Sequence, residues 1–558
     1  MESGASAGAR GDRAWARALT ALCAGFVALG LAARLAPLFD QGGRLLQQFP
    51  TDDGYLMLTV ARNLALGHGM SISDGAIPSN GGAPLATLAW AGCFWLVEGV
   101  KRSGVALVLA VETLLGAAGA LGVERLARLA FAGRRRSALA AALAASAWWA
   151  SPVALPHSMN GLESQIYSAS VIFAALLFTA PGSERAWPLG RQLGFGGALG
   201  ICFLARCDAL FLILAACLVH PFRAVEGRPR GVTRRLAETL VFAAVALAVA
   251  AQWLAFNHLV FGSAVPIDVQ AARLDAHFAP NARVPLALAD LALLVAPIPR
   301  AFQSSPRAAI AAAVACAAAL VAAALAFRAP GSRRRALLAL SLLYTASLAA
   351  FYGLAGGAGD SAQRELYPAS PFLALGWAWA AVELGARLTS ARLTALACAL
   401  AAGVFGLAAA GTLQAYRSGN ERPQFRVLRW LEANAPPDAW IGARRAGTLG
   451  FFHDRTLSFD AAANPEALAA LERGALADYI AEKHAPYIAG DTGALDLLRE
   501  PPIRALYKVL VDDADQNLGV LQLRHRRAAA PEQPESAEPE STEPESAEPE
   551  SAEPDTPE

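Results

Sequence analysis

The sequence predicts a polytopic, all-α membrane protein that carries a small α/β domain outside the membrane and ends in a disordered acidic tail. Three observations predict this. Of the 558 residues 55% are apolar, and runs of about 20 apolar residues, the length that crosses the hydrocarbon core, recur up to about Glu421. Past that point the long runs stop, and short strand-like and helix-like stretches alternate. Beyond Arg527 the chain repeats Ser-Ala/Thr-Glu-Pro-Glu units, whose proline and charge content supports no core.

The formal net charge of +1 averages unlike parts. The tail is strongly acidic, and the remainder is basic, with its arginines clustered in short loops. That pattern is a topology signal and excludes a nucleic-acid footprint. The seven cysteines (Cys23, Cys93, Cys202, Cys207, Cys217, Cys316, Cys398) all lie in apolar segments. They imply no disulfide framework, and no CxxC or HExxH zinc pattern is present.

Taken in order, residues 1–17 carry Arg10, Arg13 and Arg17 and are expected in the cytoplasm. The first apolar run, 18–38, is too long for a signal-peptide core and lacks a cleavage site, so it reads as a retained anchor. The loop 39–82 then falls outside. Arg134-Arg135-Arg136, the stretch from Arg223 through Arg234-Arg235, and Arg328 with Arg333-Arg334-Arg335 are expected inside. Residues 159–163, 257–285, 356–367 and everything after about 415 are then expected outside. Two places strain this scheme. Between 82 and 132 two spans are evident but the charges require an odd number, so a third short crossing or re-entrant piece is expected at 116–122. Residues 192–220 are expected as two short helices meeting at an external Arg206-Cys207-Asp208 turn. The membrane domain, 18–415, then has about 12–13 spans. In the external domain, 416–527, helices are expected at 427–434, 465–473 and 476–483. Strands are expected at 440–443, 487–489 and 519–523, and a turn with a further strand at 447–452. The tail, 528–558, is expected to be disordered.

Ionisable groups beside apolar helices are costly and mark sites. Asp52 and Asp53 open a surface helix over 54–66 that also carries Arg62 and Asn63 and ends at Gly67-His68-Gly69. An acid pair at the mouth of a membrane cavity can act as a general base, or hold a divalent cation (Mg, Mn or Ca) against a phosphate. The plainer reading is a helix N-cap. Glu163, in Asn160-Gly161-Leu162-Glu163, could approach the pair and position a hydroxyl, or simply favour a helix start. Arg206 and Asp208 interrupt an apolar stretch. A guanidinium there suits a phosphate, and a structural Arg206–Asp208 pair is the alternative. His258, with Asn257 and Pro266 to Gln270, lies in an expected external loop. Arg364 and Tyr367 open another span and could bind a phosphate or merely anchor the interface. All these groups map to one face, whereas a transporter would place charges at the midplane between repeated halves, and no internal repeat is evident.

At these residues the chain resembles the GT-C glycosyltransferases, which use polyprenyl-phosphate-linked sugars. Within that group it is most similar to the terminal β-(1→2) arabinofuranosyltransferases of mycobacterial cell walls and their bacterial relatives. Their Asp-Asp-Ala-(Phe/Tyr)-Ile, Arg-Tyr-Ala-x-Asn-Leu and Gly-His-Gly are similar to Asp52-Asp53-Gly54-Tyr55-Leu56, Val60-Ala61-Arg62-Asn63-Leu64 and Gly67-His68-Gly69. Their Thr-Asn-Pro-Leu-Trp is matched loosely by Ser79-Asn80-Gly81-Gly82-Ala83-Pro84-Leu85. Ser-Gly-Leu-Glu is matched by Asn160 to Glu163, and an Arg-Pro-Glu within a span by Arg206-Cys207-Asp208. Phe-Gly-x-x-x-Pro-Asn-Thr is matched by Phe261 to Pro266, with Ile267-Asp268 in place of Asn-Thr. A late Arg-x-x-x-Pro resembles Arg364 to Pro368. The similarity runs from about Asp52 to Tyr487, and its departures bear on the sugar more than on the reaction class.

The resemblance implies the GT-C fold and an inverting transfer from a polyprenyl-phosphate donor to a cell-envelope glycan or glycolipid acceptor, on the outer face of a bacterial plasma membrane. Arabinofuranose or another pentose is the implied sugar. Asp52 would be the base, with Asp53 orienting it or sharing a cation. Glu163 would position the acceptor, and Arg206 and Arg364 would neutralise the departing phosphate. Arg62, Asn63, His68, Asp208, His258 and Tyr367 would contact substrate. The alternatives are a GT-C transferase that modifies lipid A or protein with a hexose or aminopentose, a lipid-linked-sugar transporter, and a scaffold whose external domain does the work.

Overall fold

The computed structural model describes residues 2–39, 44–80, 82–133, 136–151, 154–223, 232–274, 280–294, 332–355, 363–387 and 422–524, with isolated positions between 399 and 410. The acidic tail, Cys316, Cys398, Arg134, Arg135 and Arg328 lie outside these residues. Among them, four helices are long and apolar enough to cross a membrane: Ala16–Phe39, Lys101–Ala130, Val232–Phe261 and Arg333–Leu354. Shorter apolar helices, including Ser137–Ala150, Ser164–Phe178 and Leu189–Ala205, pack among them. The chain is a membrane protein built mainly of helices.

The region 82–132 differs from the expectation. Residues Lys101–Ala130 form one unbroken helix, and Gly116, Gly119 and Gly122 lie inside it. Those glycines mark close packing instead of a re-entrant turn. A Cβ would come within 3.1 Å of Trp149 at Gly116, 2.9 Å of Trp148 at Gly119 and 2.4 Å of Ile172 at Gly122. Small residues on one face let neighbouring apolar helices approach. The preceding helix, Pro84–Leu96, starts beside Asp268 and ends at Gly99 beside Arg62, so both its ends sit on the side of the molecule that carries the C-terminal domain. The expected break at Arg206 is present. The helix Leu189–Ala205 ends there in extended backbone, and a new turn starts at Cys207.

The helix Asp52–Ala65 is set by its ends. Thr51 is the N-cap, its hydroxyl accepting from Gly54 N at 3.0 Å. Asp52 and Asp53 are therefore first-turn residues, favoured by the helix dipole, and neither is the cap. The helix stops at Gly67 and Gly69, both at positive φ, and a two-stranded hairpin follows (β1, Ser71–Ile72; β2, Ile77–Pro78).

The C-terminal domain is a five-stranded sheet of β3 (Ile441–Ala443), β4 (Thr456–Ser458), β5 (Tyr487–Gly490), β6 (Tyr507–Asp513) and β7 (Leu518–Leu523), in the order β4-β3-β5-β7-β6. β3 pairs parallel with β4 and β5, and β7 pairs antiparallel with β5 and β6. The expected strand at 447–452 is instead the helix Gly447–Phe452, because its apolar residues turn onto the Asp52–Ala65 helix and do not pair with a strand. One apolar cluster joins Tyr55 and Leu58 of the helix Asp52–Ala65 and Trp90 and Phe94 of Pro84–Leu96 to Phe425, Leu428, Ile441, Leu449 and Phe451 of the domain. Tyr55, wholly buried, packs its ring 4.9 Å from Phe451 and 5.3 Å from Phe452. Arg422, at the domain's entry, donates to Gln48 O at 2.8 Å and to Pro50 O. The domain is thereby fixed against the segment 48–58.

Candidate active site

The site is assembled by close backbone approaches. A Cβ on Gly54 would lie 2.1 Å from Asn160 O, so glycine there lets the 160–163 turn lie against the start of the acid-pair helix. Thr51 N donates to Asn160 O at 3.2 Å. Asn160 Oδ1 accepts from Leu162 N at 3.0 Å, and Gly161 takes the left-handed conformation such a turn needs. Glu163 is delivered to the head of the helix Ser164–Phe178, its side chain 3% exposed.

Glu163 is the centre of a chain of alternating charges. Its Oε1 accepts from Arg206 at 2.6 Å and from Arg364 at 3.3 Å. Arg364 also donates to Asp53 Oδ2 at 3.0 Å. Arg206 also donates to Asp208 Oδ2 at 3.1 Å and to the Tyr352 hydroxyl at 3.1 Å, and that hydroxyl donates to Asp208 at 2.8 Å. Burial alone would push the Glu163 carboxyl up, but Arg364 and Arg206 outweigh it and hold it down at about 2. Two buried atoms here, Arg364 Nε and Asp208 Oδ1, have no hydrogen-bond partner among the described residues. A buried polar atom left unpaired is costly.

Asp52 faces the C-terminal domain. Its Oδ1 accepts from Thr448 N at 2.8 Å and from Thr448 Oγ1 at 2.7 Å. At Gly447 a Cβ would stand 1.9 Å from Asp52 O, a clash with backbone that cannot yield. Gly447→Ala is therefore expected to cost about 1–3 kcal/mol and to loosen the domain; faster proteolysis between 422 and 447 reports it, and unchanged cleavage would refute the contact. Asp460 of the domain is close enough to feel both Asp52 and Asp53, and burial first, then those two charges, push its carboxyl up. Asp268 feels Glu163, Arg206 and Arg364.

The structure thus brings together Asp52, Asp53, Glu163, Arg206, Asp208 and Arg364. The other expected substrate contacts are placed elsewhere. Arg62, ten residues along the helix from Asp52 and so about 15 Å away, donates to Gly99 O at 2.8 Å and to Asp454 at 3.1 Å, where it helps Lys101 hold the domain. Asn63 is buried and donates to Ser71 O at 2.9 Å, bracing the hairpin. His68 is exposed beyond the helix end, against Gly75. His258 is exposed near the end of Val232–Phe261. Tyr367 is buried in the helical core, donating to Gln165 at 2.8 Å and stacked on Trp148. Amphipathic spacing and juxtamembrane position cannot separate such bracing from binding. Sequence reasoning missed Thr448, Tyr352 and Asp460, which come from distant elements and carry no local signal.

A divalent cation fits poorly. Such ions take about six oxygens. Arg364 holds an oxygen of Asp53 and Thr448 one of Asp52, and no group of three or more His, Cys, Asp or Glu suited to a metal occurs among the described residues.

No protein-family model matches the chain, and no curated protein matches it. Solved structures do. ArnT from Cupriavidus metallidurans in the apo state aligns over 90% of this chain and 98% of its own, with a TM-score of 0.54 at 12% identity. ArnT bound to undecaprenyl phosphate aligns over 89% and 97%, with 0.51 at 13%. The Archaeoglobus fulgidus oligosaccharyltransferase tethered with an acceptor peptide aligns over 88% and 72%, with 0.50 at 13%. At these identities the likeness is one of fold alone.

Proposed function

We propose that the chain is an inverting GT-C glycosyltransferase that moves a sugar from a polyprenyl-phosphate donor to a cell-envelope acceptor on the extracytoplasmic face. The observation that carries this reading is the juxtaposition of Asp52, held by one oxygen, with the Arg364–Glu163–Arg206 network and its unpartnered buried Nε–H. An acceptor hydroxyl loses its proton to Asp52 as its oxygen attacks the anomeric carbon. The bond to the donor phosphate breaks with inversion, and polyprenyl phosphate departs with the electron pair. Arg364 and Arg206 face the charge that develops on it. Glu163 keeps both guanidinium groups aimed, and Asp53 fixes Arg364 from the solvent side. The undecaprenyl phosphate in ArnT and the dolichol phosphate in the A. fulgidus enzyme support a lipid-phosphate donor. Arabinofuranose or another pentose is the sugar we favour, from the motif resemblance at 52–69 and 160–163. The acceptor peptide tethered to the A. fulgidus enzyme keeps a protein acceptor as the second reading.

The test is radiolabel transfer from a panel of polyprenyl-phosphate sugars in membranes holding wild type or Arg364→Gln. Transfer from one donor, falling about 10²-fold in the variant, is expected for loss of a preorganised charge at the leaving group. No transfer by folded wild type from any donor, with a native acceptor extract present, would overturn the reading.

A further inference from the structure

We infer that Thr448 is a positioning residue for Asp52, so that the C-terminal domain is part of the reaction centre. The inference rests on the transferase reading above. Three observations carry it. Both polar groups of Thr448, N–H and O–H, converge on one oxygen, Asp52 Oδ1. The approach is built on Gly447, whose missing side chain lets the domain's backbone touch Asp52's. The contact is held from behind by Tyr55 against Phe451 and Phe452, and by Asp454 on Arg62 and Lys101.

The consequence is chemical. Two donors on Oδ1 fix the carboxylate plane, and Oδ2, which has no partner among the described residues, is left as the oxygen that takes the proton. A base held in one geometry lowers the cost of reaching the attacking arrangement. The surroundings are acidic: Asp53 on the same helix turn, and Asp460 from the domain, which feels both Asp52 and Asp53. Thr448 therefore offsets a local surplus of negative charge at the base, which neither Arg206 nor Arg364 contacts.

The experiment compares wild type, Thr448→Val and Thr448→Ser with the donor identified above. Valine keeps the shape and the backbone N–H and removes only the hydroxyl. Thr448→Val is expected to lower kcat about 10- to 100-fold with the donor KM within twofold. Thr448→Ser should restore the rate. A thermal melt in detergent accompanies each, and matched melting temperatures separate positioning from folding. Transfer by wild type with kcat unchanged in Thr448→Val overturns the inference and leaves the transferase reading standing. A raised KM at constant kcat overturns it in favour of substrate binding. No transfer by wild type overturns the transferase reading and this inference with it.

Discussion

Asp52→Asn is expected to lose about 10²–10⁴ of the transfer rate, the range removed with a general base, while inserting and melting like wild type. Asparagine is close in shape to aspartate, and its amide oxygen can take the place of Oδ1 and accept both Thr448 donors, 2.8 and 2.7 Å away in the wild type. What changes is the outward atom, which becomes an NH₂ that cannot take a proton. The variant therefore separates chemistry from architecture more cleanly than alanine, which would also leave Thr448 unpartnered. Single-turnover transfer with saturating donor measures it. Activity within tenfold of wild type would remove Asp52 as the base, and Asp460 would become the next acid to test.

Glu163→Ala is expected to cost about 3–5 kcal/mol of stability, the penalty for breaking a buried ion pair from one side. Glu163 is 3% exposed and holds Arg206 at 2.6 Å and Arg364 at 3.3 Å. Without it two guanidinium groups face each other with Asp208 and the exposed Asp53 as their remaining acids. Glu163→Gln keeps one acceptor and should lose less. The same carboxyl sets a pH dependence. Held at about 2 when folded, against about 4.3 when unfolded, it contributes stability that is fully present above about pH 4.3. That contribution fades as pH falls toward 2. Melting temperature in detergent between these values should fall more steeply for wild type than for Glu163→Gln. Parallel curves would show that the network does not titrate as described.

The sequence and the structure divide by the range of the interactions. Tyr487–Gly490 and Leu518–Leu523 were legible as strands because alternation and β-branched residues act locally. Gly447–Phe452 was not, since its apolar residues serve a surface 390 or so positions away in sequence, on the helix Asp52–Ala65. Arg62 and Arg364 look alike in the chain, each an arginine beside apolar sequence. Only the fold gives Arg62 a carbonyl and Asp454 on one side of the domain, and gives Arg364 two acids and a free Nε–H.

By itself the sequence determined that long apolar helices dominate the chain and that an α/β region follows them. Hydropathy, charge bias and alternation are properties of short windows, and each reports the solvent a segment prefers. The tertiary structure alone decided that 116–122 belongs to one straight helix and that Glu163 sits between two arginines. It also decided that Asp52 is held by a threonine from the far end of the chain. Those facts depend on which segments approach within a few ångströms, at Gly54, Gly122 and Gly447, and glycine looks the same in a sequence whether it is packed against or exposed.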